Sequence, residues 1–143
     1  MRFVDTNVLL YAVSTAPDEA RKAAIARRLL DADDLALSVQ VLQEFYVQAT
    51  RRSRADPLSH DQASRLVEAF LRFPQQETTA ALMTAALASS HRLRISYWDA
   101  AILEAARKLG CPTVLSEDLT HGRDYGGVIV EDPFRAGRAP RRS

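Results

Sequence analysis

Four acidic residues are the candidates for chemistry in this sequence: Asp5, Glu44, Asp99 and Asp118. Carboxylates held close together raise one another's pKa and are unfavourable without a counter-ion. Mg²⁺ and Mn²⁺ are suitable counter-ions, because hard divalent cations prefer oxygen ligands. One or two such cations can activate water and neutralise the charge that develops on a phosphodiester. If the fold brings the four residues together, we therefore predict metal-dependent phosphodiester hydrolysis.

The segment from residue 95 to residue 119 is expected to bring two of these acids to one edge of a sheet. It reads as a helix, a turn at Gly110, a short apolar strand at 113–115 and an acidic loop. Because the turn is short, helix and strand must run antiparallel, and the helix start lies level with the carboxyl end of the strand. Asp99 therefore lies near Asp118. Helical spacing also predicts one buried stripe, formed by Trp98, Ala101, Ile102, Ala105, Ala106 and Leu109.

The rest of the sequence alternates strands with helices, which predicts an α/β fold with a parallel sheet. Ligands of such sheets bind outside the carboxyl ends of the strands. Asp5 ends the first predicted strand, and Glu44 lies one to two turns into the helix after the second, beside its buried face. All four acids are therefore expected at one edge. The remaining strands are predicted at residues 1–5, 35–38, 74–77 and 126–130, and the remaining helices at about 8–13, 17–31, 39–54, 59–71 and 78–91.

Composition narrows the class of protein. The chain has 143 residues, 47% of them hydrophobic and 26% charged, as expected for one soluble domain. No apolar run reaches membrane length and no signal peptide opens the chain, which with the lone Cys111 predicts a cytoplasmic protein. The net charge is only +1, so nucleic-acid binding would need local patches. Both lysines fall in helical patterns, and none follows a strand to bind phosphate or form a Schiff base.

Each acid also has a structural interpretation. Ser96 and Asp99 fit a capping box, Asp5 could simply end a strand, and Glu44 could point to solvent. Asp118 could cap a turn with Ser116, and the neighbouring glutamate could be confused with it. Thr6 or Asn7 is expected to cap the first helix. The shared edge of the sheet is what favours the functional interpretation over these alternatives.

Other kinds of site have little support. The three histidines lack the spacing of zinc ligands, and no histidine lies near Ser116 in sequence to act as the base of a catalytic triad. Gly126-Gly127 is too short for a phosphate-binding loop and is typical of a turn. The basic residues at 51–54 suit a solvated helix end, with contact to phosphates as the less favoured alternative.

Four motifs resemble those of the PIN-domain ribonucleases, in particular the VapC toxins of prokaryotic toxin–antitoxin pairs. They are Phe-Val-Asp-Thr-Asn at 3–7, Gln-Val-Leu-Gln-Glu-Phe at 40–45, Ser-Tyr-Trp-Asp-Ala at 96–100 and Leu-Ser-Glu-Asp-Leu at 115–119. The resemblance spans residues 1–134, in order and at suitable spacing. It implies a three-layer α/β/α PIN-like domain with a short, mostly parallel central sheet. Residues 135–143 lie outside it and are expected to be a disordered, arginine-rich tail.

The resemblance also implies a function. Asp5, Glu44, Asp99 and Asp118 match the family's four acids, while Asn7 and Ser116 match its supporting polar positions. A Mg²⁺- or Mn²⁺-dependent endoribonuclease is implied, with RNA as substrate, a homodimeric state and silencing by a cognate antitoxin protein. We expect the antitoxin to dock on exposed apolar positions of the helices at 8–13 and 20–30.

Three alternatives belong to other classes. A haloacid-dehalogenase-like phosphatase would need a second aspartate where the chain has Asn7, and a receiver domain would need paired acids after its first strand. Both would also need a later lysine. A catalytically silent PIN scaffold that binds RNA or protein would have no need of four mutually repelling carboxylates.

Overall fold

The computed structural model describes residues 1–135, so all but the first residue of the predicted tail lies outside the described residues. A parallel sheet forms the centre of the fold, as predicted. Its strands are β1 (Arg2–Val4), β2 (Leu35–Ser38), β3 (Gln75–Gln76), β4 (Thr113–Leu115) and β5 (Ile129–Glu131). The strand order is β3-β2-β1-β4-β5, which places β1 in the middle.

Helices cover both faces of this sheet. Phe3 and Val4 are adjacent in β1, where neighbouring side chains point to opposite faces, and both are buried. Val114 and Leu115 show the same pattern in β4. The fold therefore has three layers. Its described helices are α1 (Thr6–Ala12), α2 (Ala20–Leu29), α3 (Val39–Ala49), α4 (His60–Phe70), α5 (Ala80–Leu93) and α6 (Tyr97–Lys108).

The predicted unit of helix, turn and strand near the C-terminus is present as α6 and β4. Ser96 caps α6 by accepting a hydrogen bond from the Asp99 N–H at 3.0 Å. Gly110 follows the helix with a φ of +77°, a conformation that glycine adopts without strain. The expected buried position of Trp98 is wrong, because its side chain is 63% exposed. Trp98 lies in the first turn of α6, beyond the part of the helix that packs on the sheet.

The predicted cap of α1 is also wrong. Asp5, rather than Thr6 or Asn7, occupies the N-cap position, with an extended backbone and a carboxylate that accepts from the Thr6 N–H at 2.7 Å. Thr6 is therefore the first helical residue, and α1 begins two residues earlier than expected. Asp5 thus directly follows β1 and also caps α1.

Two further boundaries differ from the sequence prediction, and a third is confirmed. The second predicted helix begins with a short 3₁₀ turn at Pro17–Glu19 before α2. The last strand begins at Ile129 rather than at residue 126, because Gly126 and Gly127 have positive φ angles of 69° and 96° and form a turn. The predicted capping box at the start of α4 is present between Ser59 and Gln62.

The exposed large apolar side chains lie outside the helices expected to bind the antitoxin. The large apolar side chains of α1 and α2 pack wholly or partly against the core, and the exposed apolar positions of α2 are the small residues Ala20 and Ala24. Docking of the antitoxin on these helices stays a prediction. Val47 and Leu71, which are exposed, instead flank an apolar groove between α3 and α4. None of the helices within residues 1–135 is long and apolar enough to cross a membrane.

Candidate active site

The four predicted acids line one cavity at the carboxyl edge of the sheet. Its volume is about 300 Å³, and Asp5, Glu44, Asp99 and Asp118 all contribute to its wall. Asp5 follows β1 and Asp118 lies in the loop after β4, while Glu44 and Asp99 come from α3 and α6. The convergence expected from the parallel topology is present. The catalytic and metal-binding roles of these residues stay predictions.

Asp5, Asn7, Ser116 and Asp118 form what we call the strand side of the cavity, because β1 and β4 position them. Val4 pairs in register with Leu115, and the Asp5 N–H continues the ladder by donating to the Leu115 carbonyl at 3.0 Å. The residues just beyond the two strands, Asp5 and Ser116, therefore lie side by side. Sheet register alone brings these distant parts of the sequence into contact.

Ser116 connects the other three residues of the strand side. Its buried hydroxyl donates to Oδ2 of Asp5 at 2.8 Å and accepts from Nδ2 of Asn7 and the N–H of Asp118, both at 3.1 Å. This uses the one donor and both lone pairs of a serine hydroxyl. Asn7 Nδ2 also lies 3.2 Å from Oδ2 of Asp118. The strand side is thus a closed hydrogen-bonded network.

Asp5 is the most strongly perturbed acid of the site. Burial raises the pKa of its carboxyl group to about 6, since the side chain is only 6% exposed. Hydrogen bonds from Ser116 and Thr6 oppose this rise in pKa, while the charges of Asp118 and Glu44 add to it. Ionisation of Asp5 is therefore less favourable than that of an exposed aspartate, and a nearby cation would favour it.

Gln40, Glu44, Trp98 and Asp99 form what we call the helix side of the cavity, because α3 and α6 carry them. Oε1 of Glu44 accepts from Nε2 of Gln40 at 3.1 Å and from the Thr6 hydroxyl at 3.4 Å. The same amide of Gln40 lies 3.4 Å from the carbonyl oxygen of Trp98. Gln40 thus links α3 to the first turn of α6 across the cavity.

Asp99 is not needed to cap its helix, since the side chain of Ser96 performs that task. The serine half of the predicted capping box is therefore present, since the Ser96 hydroxyl accepts from the Asp99 backbone. Burial raises the pKa of the Asp99 carboxyl group, as does the charge of Asp118, while a hydrogen bond with Ser96 lowers it. Asp99 and Asp118 are therefore close enough to repel each other, as predicted.

A family model agrees with this fold. The model of the PIN domain matches residues 2–123, which is most of the chain. The chain belongs to the PIN domain family. No curated protein sequence matches it.

Solved structures resemble this PIN domain along most of their length. A toxin–antitoxin complex from Klebsiella pneumoniae has a TM-score of 0.67 at 19% identity, with 94% of this chain and 98% of that chain covered. VapC20 from Mycobacterium tuberculosis, a sarcin-ricin-loop-cleaving toxin, has a TM-score of 0.64 at 23% identity and coverages of 82% and 92%. VapBC2 from Rickettsia felis, bound to a promoter DNA fragment, has a TM-score of 0.62 at 19% identity and coverages of 91% and 96%. At these identities the likeness establishes the fold alone.

The cavity of this PIN domain contains residues that sequence reasoning missed. Glu19, Glu117, Arg54 and Trp98 all line its wall. Arg54 lies in the basic cluster that was expected to be a solvated helix end, and Trp98 was assigned to the core. No local pattern distinguishes these residues, because their position depends on how α1, α3 and α6 meet.

Glu117 differs from the neighbouring Asp118 in its partners. Its carboxylate lies 2.7 Å from Nζ of Lys22 and accepts a hydrogen bond from the Tyr11 hydroxyl. A lysine of α2 therefore approaches the edge of the cavity, although none follows a strand in sequence. The salt bridge neutralises Glu117, whereas the Asp118 carboxylate is held by the Asn7 amide. The two neighbouring acids can thus be told apart by their contacts.

The residues of the cavity fit a hydrated divalent cation. Among residues 1–135, no three His, Cys, Asp or Glu side chains form a ready-made metal cage. Mg²⁺ needs none, since it usually keeps several waters and binds one or two carboxylates. Each Asp5 oxygen accepts one hydrogen bond and keeps a further lone pair. Arg54 is the only basic residue among the described wall residues, which include the acids Asp5, Glu19, Glu44, Asp99, Glu117 and Asp118.

Proposed function

We propose that this PIN domain is a Mg²⁺- or Mn²⁺-dependent endoribonuclease that hydrolyses RNA phosphodiester bonds as the toxin of a type II toxin–antitoxin module. The observation that carries the proposal is the convergence of four carboxylates on one cavity. A polyanion would be repelled from such a wall unless a cation neutralised it. Binding of the proposed RNA substrate would therefore require the proposed metal cofactor.

Asp5, Asp99 and Asp118 would hold the cation, and Glu44 would contact it directly or through water. The cation supplies Lewis-acid chemistry, because it lowers the pKa of water and neutralises charge on a phosphoryl oxygen. Ser116 and Asn7 have supporting roles, since they orient Asp5 and Asp118 through hydrogen bonds of 2.8 and 3.2 Å. Arg54 supplies the positive charge on the wall that can contact a phosphate of the RNA.

A cleavage assay on total RNA tests this function. Wild-type protein is expected to cut RNA with Mg²⁺ or Mn²⁺ and to stop when EDTA removes the metal. Asp99→Asn should abolish most of this activity, whereas Asp33→Asn, at an exposed acid outside the cavity, should leave it unchanged. Equal cleavage by wild type and Asp99→Asn would refute the assignment of Asp99 to the catalytic site.

A catalytically silent PIN scaffold remains the alternative function. Such a protein would bind RNA or protein without cutting it, and its acids would serve no purpose that offsets their repulsion. RNA binding without cleavage of rRNA, tRNA or mRNA in saturating Mn²⁺ would favour this scaffold. The convergence of four carboxylates on one cavity favours the nuclease, since a bound cation would offset their mutual repulsion.

The antitoxin is the proposed protein partner, by analogy with the toxin–antitoxin complexes of similar fold. The apolar groove between α3 and α4 is the proposed docking surface, with a volume of about 710 Å³ and an apolar segment of the antitoxin as its occupant. Val47→Asp in this groove should prevent co-purification with the antitoxin, whereas Met83→Asp on α5 should not. Equal co-purification of both variants would exclude the groove.

The homodimer and the cytoplasmic location stay proposals that rest on the family. Light scattering of the purified protein, with and without its antitoxin, will measure the number of chains in each assembly. A monomer at micromolar concentration would contradict the proposed homodimer. Cell fractionation tests the location, and recovery of the protein outside the cytoplasmic fraction would contradict it.

A further inference from the structure

Trp98 is unusual because it exposes an aromatic ring at an acidic cavity. Its side chain is 63% exposed, the largest exposed fraction among the large hydrophobic side chains of the described residues. An indole normally gains free energy by leaving water, so its exposure calls for an explanation. Trp98 also lines the same cavity as the four acids and directly precedes Asp99. Its ring is therefore available to a molecule that enters the cavity.

The Trp98 ring has one aromatic neighbour, and the backbone that carries it is tied to α3. It begins the first turn of α6 together with Tyr97, whose ring centroid lies 5.0 Å away at an interplanar angle of 80°. Its carbonyl oxygen lies 3.4 Å from the Gln40 amide. A ring on the first turn of a packed helix loses little conformational freedom on binding, which favours a role in recognition.

The charge of the cavity favours a base over a phosphate as the partner of this ring. Six acids and one arginine line the wall, so the RNA backbone gains little attraction there apart from the proposed cation. Stacking of an unpaired base on an aromatic side chain does not depend on charge and is available to all four bases. Trp98 can therefore supply binding energy that the acidic wall cannot.

We propose that the Trp98 indole stacks on an unpaired base beside the scissile phosphate of the RNA substrate. The proposal rests on the proposed ribonuclease function and adds a condition to it: the RNA must present a single-stranded, base-bearing nucleotide at the cut site. Trp98 is then a substrate-contacting residue that acts in binding rather than in the chemical step.

Fluorescence gives a direct test, because Trp98 is the only tryptophan of the chain. A short oligoribonucleotide of random sequence is added to the wild-type protein in Ca²⁺, with a gel to verify that the RNA stays intact. An abasic ribose-phosphate oligomer of the same length serves as the matched ligand. Quenching of the Trp98 emission is expected with the first ligand and not with the second, because only the first contains bases that can stack.

Variants give the second test. Trp98→Ala should raise the dissociation constant of the labelled oligoribonucleotide, and the KM of cleavage, by about tenfold, with kcat changed by less than about threefold. Trp98→Phe should recover most of the affinity, since it keeps an aromatic face. Leu87→Ala removes another exposed apolar side chain, outside the cavity, and should change neither constant.

The outcomes separate this proposal from the function on which it rests. RNA binding and cleavage that persist without quenching, or equally in Trp98→Ala, would overturn the stacking role and leave the nuclease intact. A Trp98→Ala variant that loses only dimerisation or antitoxin binding would assign the ring to a protein partner and also overturn it. Failure of the wild type to bind or cut any RNA would overturn both.

Discussion

The two sides of the cavity differ in how their acids are held. On the strand side, Asp5, Asn7 and Ser116 are buried and hold the exposed Asp118 in a network in which the Ser116 hydroxyl uses its donor and both lone pairs. On the helix side, Asp99 is only partly buried, and Glu44 is held by two longer hydrogen bonds of 3.1 and 3.4 Å. The strand side is therefore anchored by three buried residues, whereas the acids of the helix side are only partly buried and have fewer contacts.

Because of this difference, substitutions on the two sides should affect the stability of the protein and its cleavage rate differently. Removal of a group from the strand side breaks buried hydrogen bonds, so it should lower both the free energy of unfolding and the cleavage rate. Removal of a charge from the helix side relieves repulsion without breaking such a network, so it should lower the rate alone. Substitutions on the two sides should therefore have different signatures.

The largest expected effect is that of Asp99→Asn on the helix side. Loss of one proposed metal ligand should reduce cleavage by two orders of magnitude or more, about 3 kcal/mol of barrier. The cap of α6 should survive, since Ser96 provides it. The metal-free variant should be as stable as metal-free wild type or more stable. Thermal unfolding in EDTA, beside the rate assay, measures both, and full cleavage with lowered stability would make Asp99 a structural residue.

The pH dependence of stability comes next and tests the strand side. The pKa of Asp5 is raised to about 6, so between about pH 4 and pH 6 the folded protein binds a proton that the unfolded chain has lost. The free energy of unfolding of metal-free protein should therefore fall as the pH rises through this window, by about 2 to 3 kcal/mol. Chemical denaturation in EDTA at several pH values measures this slope.

Two conditions sharpen the pH experiment. Saturating Mn²⁺ should reduce the slope, because a cation stabilises the ionised Asp5. It should also raise the melting temperature of wild type more than that of a variant with all four acids replaced by Asn or Gln. Asp34→Asn is the matched control: Arg2 lowers the pKa of Asp34, so its contribution is lost only as the pH falls below about 4. A slope unaffected by Asp5→Asn would assign the titration to another group.

Ser116→Ala is expected to have a moderate effect on both properties. It leaves Oδ2 of Asp5 without its buried donor, while the Thr6 N–H still donates to Oδ1, and this should lower the free energy of unfolding by about 1 to 2 kcal/mol and the cleavage rate about tenfold. Ser89→Ala is the control, since Ser89 is also buried but makes one long bond of 3.4 Å within α5. It should leave cleavage unchanged. Equal effects of the two substitutions would mean that the hydrogen bonds of Ser116 matter no more than those of an ordinary buried serine.

The smallest expected effect is that of Gln40→Ala. Its amide holds Glu44 and contacts the Trp98 carbonyl, so its loss should slow cleavage a few-fold and cost less than about 1 kcal/mol of stability. Gln43→Ala, on the same helix but facing the apolar groove, is the control and should leave the rate unchanged. A hundredfold loss of rate in Gln40→Ala would show that the helix side is as strictly ordered as the strand side.

Much of the fold follows from local patterns in the sequence. The parallel sheet, its edge strand at Gln75–Gln76 and the sequence α6, Gly110, β4 were predicted, because apolar periodicity and turn residues act over a few positions. Boundaries were less accurate, as at the start of α1, where one residue both ends a strand and caps a helix. The choice of the four acids likewise followed from strand ends and from the family motifs.

Only the tertiary structure decided how those acids are held and what surrounds them. Periodicity assigned Trp98 to a buried stripe, but a stripe is buried only where another element covers it. In the first turn of α6, Ala100 is covered by α5, whereas the face that carries Trp98 is left open. The salt bridge of Lys22 with Glu117, and the place of Arg54 in the wall, depend on contacts between elements distant in sequence. The sequence by itself thus determined which acids are candidates and where most helices and strands form. The burial of each side chain and the residues it contacts were decided only when separate helices and strands packed together.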